Sequence, residues 1–164
     1  MTTFEHNMRE YKTQLGKGSI QQAYKGLMEY MLRLRAHIQK RLPDCEFPGS
    51  VYFGYMDMTY FSVIPPSLKE RKLKIALVFL HEAFRFEVWL SGYNRQVQAK
   101  YWKMMRDSGW DQYRLVADPL KADSILEHVL IDNPDFGDLE ALTSQIEEGT
   151  LRFITNVETV LASH

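Results

Sequence analysis

An α+β domain, with an antiparallel sheet of four to five strands in meander order packed against long N- and C-terminal helices, is the fold class that the sequence predicts. Three observations carry it. Apolar residues recur at helical spacing over residues 4–42 and again over 139–160. Between these stretches stand short runs rich in aromatic and β-branched residues, "SVYFGYM", "TYFSVI", "KLKIALVFL" and "AFRFEVWL", the composition of half-buried strands. The links between the runs are too short for the helix that a parallel crossover needs, so neighbours are read as antiparallel.

Each element has its own signal. Phe4, Met8, Tyr11 and Leu15 predict a short amphipathic helix stopped by Gly16 and Gly18. Ser19 with Gln22 has the pattern of a capping box, and Ile20, Tyr24, Leu27, Met31, Leu34, Ile38 and Leu42 form the stripe of a long helix ended at Pro43. "PDCEFPGS" is a turn-rich link, "PPSLKER" joins the second and third runs, and Asp57-Met58 and His81-Glu82 fall at hairpin turns. Beyond Gly92, the spacing of Val97, Tyr101, Met104 and Met105 predicts a helix from Asn94 to Asp107, with Gly109 placed to end it. "QYRLVAD" is a candidate fifth strand, and Ile125, Leu126, Val129 and Leu130 read as a short helix broken before Pro134. Leu139, Leu142, Ile146, Phe153, Val157 and Val160 predict the last long helix. Gly149 interrupts that stripe at a cost of about 1 kcal/mol relative to alanine, and close approach of a neighbouring element is the expected compensation. With no repeat, low-complexity tract or linker, residues 1–164 read as one domain.

Charge narrows the function classes. Lys+Arg 20 against Asp+Glu 21 gives a net charge of −1, hence no overall attraction to nucleic acid or to an anionic membrane. Lys25, Arg33, Arg35, Lys40 and Arg41 on one helix, and Arg95, Lys100, Lys103 and Arg106 on another, read first as solvated faces. Phosphate contact would require both helices to present that charge on one side. Cys45 is the sole cysteine, which rules out an internal disulfide and fits a reducing compartment. The polar start "MTTFEHNMREYK" has no secretory pattern, and no apolar run nears the roughly 20 residues of a membrane span, so a cytoplasmic location is expected. The five histidines include no pair at i, i+3 or i+4, "DNPDFGDLE" lacks the EF-hand order, and the glycine-rich phosphate-loop motifs are missing. The expectation is therefore no cofactor and no metal, with the balance against an enzyme.

One constellation stands above this background. In "AFRFEVWL", Phe84, Phe86, Val88 and Leu90 form an apolar row, and strand alternation turns Arg85, Glu87 and Trp89 to the other face. Together with Tyr52 and Tyr60 from neighbouring runs and Asn94 at the next helix start, they are the candidate ligand-binding residues of a non-catalytic binding or interaction module. The site would be a concave pocket near Gly92 for a small molecule or a protein partner. The competing account is a surface Arg85–Glu87 pair with Trp89 covered by a helix. Heptad-like stripes on both long helices could seal either the core or a homodimer interface.

"GYMDMTYFSVIP" followed by "RKLKIALVFLHEAFRFEVWLSGYNRQVQAKYW" resembles a family of bacterial domains of unknown function that carry near-identical blocks in the same order. The resemblance covers most of the chain and implies no particular chemistry. More distantly, the passage "FEVWLSGYNRQVQ" is similar in topology to restriction-endonuclease-like domains. Such nucleases hold Mg²⁺ with an aspartate at the end of one strand and an acidic-x-lysine on the next, the lysine orienting a water. Asp57 could supply the first carboxylate. Glu87-Val88-Trp89 places tryptophan where lysine should stand, and Glu70-Arg71-Lys72 matches only in a loop. A divergent Mg²⁺-dependent nuclease using Asp57 with Glu70 or Glu87 is the alternative function.

Overall fold

The computed structural model describes residues 3–164. The Thr3 hydroxyl accepts from the His6 N–H at 3.1 Å and starts α1 (Phe4–Lys17), which Gly18 ends in the left-handed conformation, φ 83°. The same glycine caps the start of α2 (Ser19–Arg41), and no side-chain cap bond forms there. Ser19 is thus the first residue inside the helix, which corrects the capping-box expectation: with Gly18 shared by both helices, no extended residue remains to place a hydroxyl over the first amides. α2 stops at Leu42, the residue whose helical conformation Pro43 disfavours.

"SVYFGYM" is not a strand. Gly54 and Met56 take left-handed conformations, φ 76° and 64°, and only Tyr52 pairs, exchanging two backbone bonds of 2.8 and 3.0 Å with Tyr60. The first strand is β1 (Met58–Val63), and the loop "PPSLKER" contains a single turn, α3 (Pro66–Lys69). β2 (Leu73–Leu80) and β3 (Arg85–Gly92) form a hairpin over a turn at 81–84, where His81-Glu82 was expected. Then come α4 (Arg95–Ser108), ended by left-handed Gly109, and β4 (Arg114–Leu115), which is all that forms of "QYRLVAD". β5 (Leu126–Asp132) overturns the short helix read from Ile125, Leu126, Val129 and Leu130. So short an apolar run fits either period, and the free edge of β3 decides it by pairing from Arg85↔Asp132 to Leu90↔Leu126. α5 (Leu139–Ala162) starts where the Asp138 carboxylate accepts from the Ala141 N–H.

All pairings are antiparallel and the strand order is β1-β2-β3-β5-β4. The meander therefore holds for three strands. The chain then leaves through α4, returns at the far edge as β4, and lays β5 between β4 and β3. Phe61, Val63, Ile75, Leu77, Phe79, Phe86, Val88 and Leu90 face the main core, which α2, α4 and α5 complete through residues such as Leu34, Tyr101 and Phe153. Each such apolar side chain contributes roughly 1.5–3 kcal/mol by leaving water. Gly149 is explained as expected: a Cβ there would stand 2.5 Å from Leu130 Cδ2, so α5 lies directly against β5. The opposite face of the sheet carries a separate cluster, Ala76, Val78 and Trp89 with Met58, Tyr60 and Leu80, and no helical residue of the described chain joins it.

Candidate functional site

Register places the residues of this uncovered face. One row crosses all five strands as Ser62, Ala76, Trp89, Glu127 and Arg114, and the next runs Tyr60, Val78, Glu87 and Val129. Ser62 and Ala76 are short, so the row has a hollow beside the indole. Tyr52, its ring 5.1 Å from Tyr60, walls one side. The start of α4 walls the other. The result is a cavity of about 410 Å³, within the range of small-molecule sites, lined by Tyr52, Tyr60, Trp89 and Asn94 together with Ser62, Lys74, Gly92, Arg95, Gln98 and Asp123.

Four of the six candidate residues thus meet at one cavity, and Arg85 and Glu87 stand outside its lining. Glu87 is only 2% exposed. One carboxylate oxygen accepts from the Trp89 indole N–H at 2.9 Å and the other from Arg85 Nε at 2.6 Å. This is neither a surface ion pair nor a helix-covered tryptophan. Glu87 thus holds the N–H of an indole that also lines the cavity.

Backbone fit sets the opposite wall. At Gly92 a Cβ would lie 2.6 Å from the Gln98 nitrogen and 3.0 Å from its Cα, so β3 turns into α4 at a distance only glycine allows. Gln98 is 3% exposed and fully engaged: it accepts from Gly92 N–H at 3.2 Å and donates to the carbonyls of Pro119 and Ala122 at 3.1 and 2.8 Å. Asn94 caps α4 by accepting from Val97 N–H at 2.9 Å, which leaves its amide NH₂ as its free polar group. Arg95 faces Asp123 at 3.8 Å and also donates to Ala122 O. Lys74 forms no ion pair among the described residues, so the cavity carries one uncompensated positive charge.

Glu127 escaped sequence reasoning because its segment read as helix. It pairs with Trp89 on the same row. Burial pushes its carboxyl above the ordinary value, the charge of Glu87 adds to this, and Arg114 and Arg85 oppose it. A carboxyl raised on folding binds its proton more tightly in the native state, so stability falls as pH rises from its unfolded value of about 4.3 through the folded one. Glu127→Gln is accordingly expected to raise Tm at pH 7, with the gain gone below about pH 4. Calorimetry at the two pH values checks this, and a lower Tm for the variant at pH 7 would show that the Arg114 attraction outweighs burial.

Of the residues of the nuclease alternative, Asp57 and Glu70 lie at opposite ends of β2. Asp57 is exposed beside the end of β2, where its backbone oxygen accepts from His81 N–H, and its side chain accepts from Tyr55 N–H at 2.9 Å. Glu70 precedes the other end of β2, a separation of roughly 25 Å at about 3.3 Å per residue. Both Glu87 oxygens are held by Arg85 and Trp89. Among the described residues no group of three or more His, Cys, Asp or Glu side chains could hold a metal ion. Three of the helix cations are engaged within the chain: Arg35 donates to the carbonyls of Phe47 and Gly49, Arg41 pairs with Glu147, and Arg106 with Asp107. No helix of the described residues is long and apolar enough to cross a membrane.

Fold and site together define an α+β module with helices on one face of a five-stranded antiparallel sheet and an aromatic-lined cavity on the other. The chain belongs to the domain-of-unknown-function family DUF7000, which it matches over residues 4–161. That match bears out the family resemblance of the two sequence blocks and carries nothing on the nuclease likeness. No curated protein and no solved structure matches the chain.

Proposed function

We propose that this chain is a non-catalytic binding module whose site is the cavity beside Trp89, and that its ligand is a small planar molecule bearing an anionic group. The observation that carries the reading is the junction of a fixed indole, three tyrosines (Tyr52, Tyr60 and Tyr93) and an unpaired Lys74 around one cavity of about 410 Å³. Aromatic faces favour a planar ring, worth about 0.5–1.5 kcal/mol per stacked pair beyond area burial. Lys74 and the Asn94 amide supply donors for an acidic edge. The lone Cys45 thiol fits a cytoplasmic setting.

Titration with nicotinate and with AMP, followed by tryptophan fluorescence, tests the reading. Saturable quenching by at least one of them is expected, with affinity falling about tenfold, or about 1.4 kcal/mol, on Lys74→Met and on Tyr52→Leu, both of which keep Trp89 as the reporter. Quenching that neither substitution alters would place binding elsewhere, and no saturable signal with either probe would count against a planar anion.

A further inference from the structure

α1 buries none of its residues, yet it carries an apolar stripe: Phe4, Met8 and Tyr11 are 81%, 45% and 55% exposed. Close to the joint with α2, a second cavity of about 620 Å³ opens between α2 and the sheet end that holds the 81–84 turn, with Phe79, Phe84 and Phe136 in its lining. The α2 wall of this cleft includes Ala23 and Gly26. A glycine inside a helix costs about 1 kcal/mol relative to alanine. No atom lies within 4 Å of where a Gly26 Cβ would stand, so nothing in its own chain requires glycine there. Small residues one turn apart instead permit a second helix to approach closely.

α1 cannot fill the cleft of its own chain. Gly18 alone separates the two helices, whereas an antiparallel helix pair needs a connection of about 2–5 residues. Gln21 further braces the joint by donating to the Leu15 carbonyl at 2.7 Å. A helix with an unpartnered apolar stripe is present on every copy, so a second chain carries an element of the right kind.

We propose that α1 of a second copy of this chain occupies the cleft, in a reciprocal exchange about a twofold axis. The cleft begins at Ile20, two residues past Gly18, so two exchanged arms meet near that axis and both stripes are covered at once. The area suffices. With aromatic side chains of about 150–250 Å², the exposed parts of Phe4, Met8, Tyr11, Ile20, Met56 and Phe84 come to roughly 600 Å² per copy, and roughly 1,200 Å² for the pair reaches the range of specific interfaces.

Size-exclusion chromatography with light scattering, at protomer concentrations from about 1 to about 100 µM, tests this on the full chain. Wild type is expected at twice the 19.3 kDa chain mass, and Tyr11→Asp and Gly26→Gln at the chain mass. Gly26→Gln improves helix propensity, so it separates lost association from lost folding: its helical circular dichroism is retained while its mass halves. A wild-type mass of one chain throughout the range overturns the proposal. So does a dimer that both variants preserve, since its interface would then lie elsewhere. A monomer whose cleft binds the apolar dye ANS, with binding abolished by Gly26→Gln, would instead assign the cleft to another occupant and equally overturn it.

Discussion

Glu87→Ala is expected to lower stability by about 2–3 kcal/mol, or roughly 5–10 °C in Tm for a domain of this size. The substitution leaves the Trp89 indole N–H in a buried position without its acceptor, which alone costs about 1–3 kcal/mol. It also frees Arg85, but that side chain is one-third exposed and can turn to water, which keeps the loss below that of a fully buried pair. Glu87→Gln retains an oxygen for the indole and removes the charge that disfavours ionised Glu127, so its loss is expected at about a third of the alanine value. Thermal melts of the two variants check the order. If Glu87→Ala melted within about 2 °C of wild type, the carboxylate could not be what holds the indole.

Gly92→Ala is expected to cost about 2–3 kcal/mol as well, by a different mechanism. The atoms that a Cβ would meet are the Gln98 nitrogen and Cα and the Asn94 oxygen, all backbone at 2.6–3.2 Å, and none can swing aside as a side-chain tip could. The first turn of α4 must move away from β3, taking Asn94, Arg95 and Gln98 with it, so the cavity loses one wall. Amide chemical-shift changes confined to residues 91–98 and to the 119–123 segment that Gln98 holds are the expected signature. A variant that melts like wild type and keeps its shifts would show that the two elements have slack between them.

How far the molecule could be read from its residues depends on how local the cause was. The helices were legible because their stripes extend over several turns, and the parity of Arg85, Glu87 and Trp89 followed from alternation alone. β5 was not legible, because Leu126 and Val129, three apart, match a helical period and fall on opposite faces of a strand, and what selects the strand is β3, far back in the chain. "SVYFGYM" misled for the opposite reason: its composition suits a strand, while left-handed Gly54 and Met56 forbid one. The site divides in the same way. Lys74 could have been found by counting back from the 81–84 turn, which sets Lys74 opposite Ser91. Glu127, Gln98 and Asp123 reach the sheet face only through pairings and loop contacts that no local pattern encodes.

The placement of β5 between β3 and β4 also bears on how the chain reaches its native state. β1, β2 and β3 follow one another through short links and pair as soon as they are made, whereas the partner for the outer edge of β3 arrives only after the chain from Tyr93 to Ile125. During synthesis at about 5–20 residues per second, that edge, which includes Phe86, Val88 and Leu90, waits seconds for its neighbour. An unpaired hydrophobic strand edge is a template for joining other chains. The nascent protein is thus most exposed to aggregation in the interval between release of β3 and release of β5, and its yield in cells depends on how fast α4 folds and carries the chain across that gap.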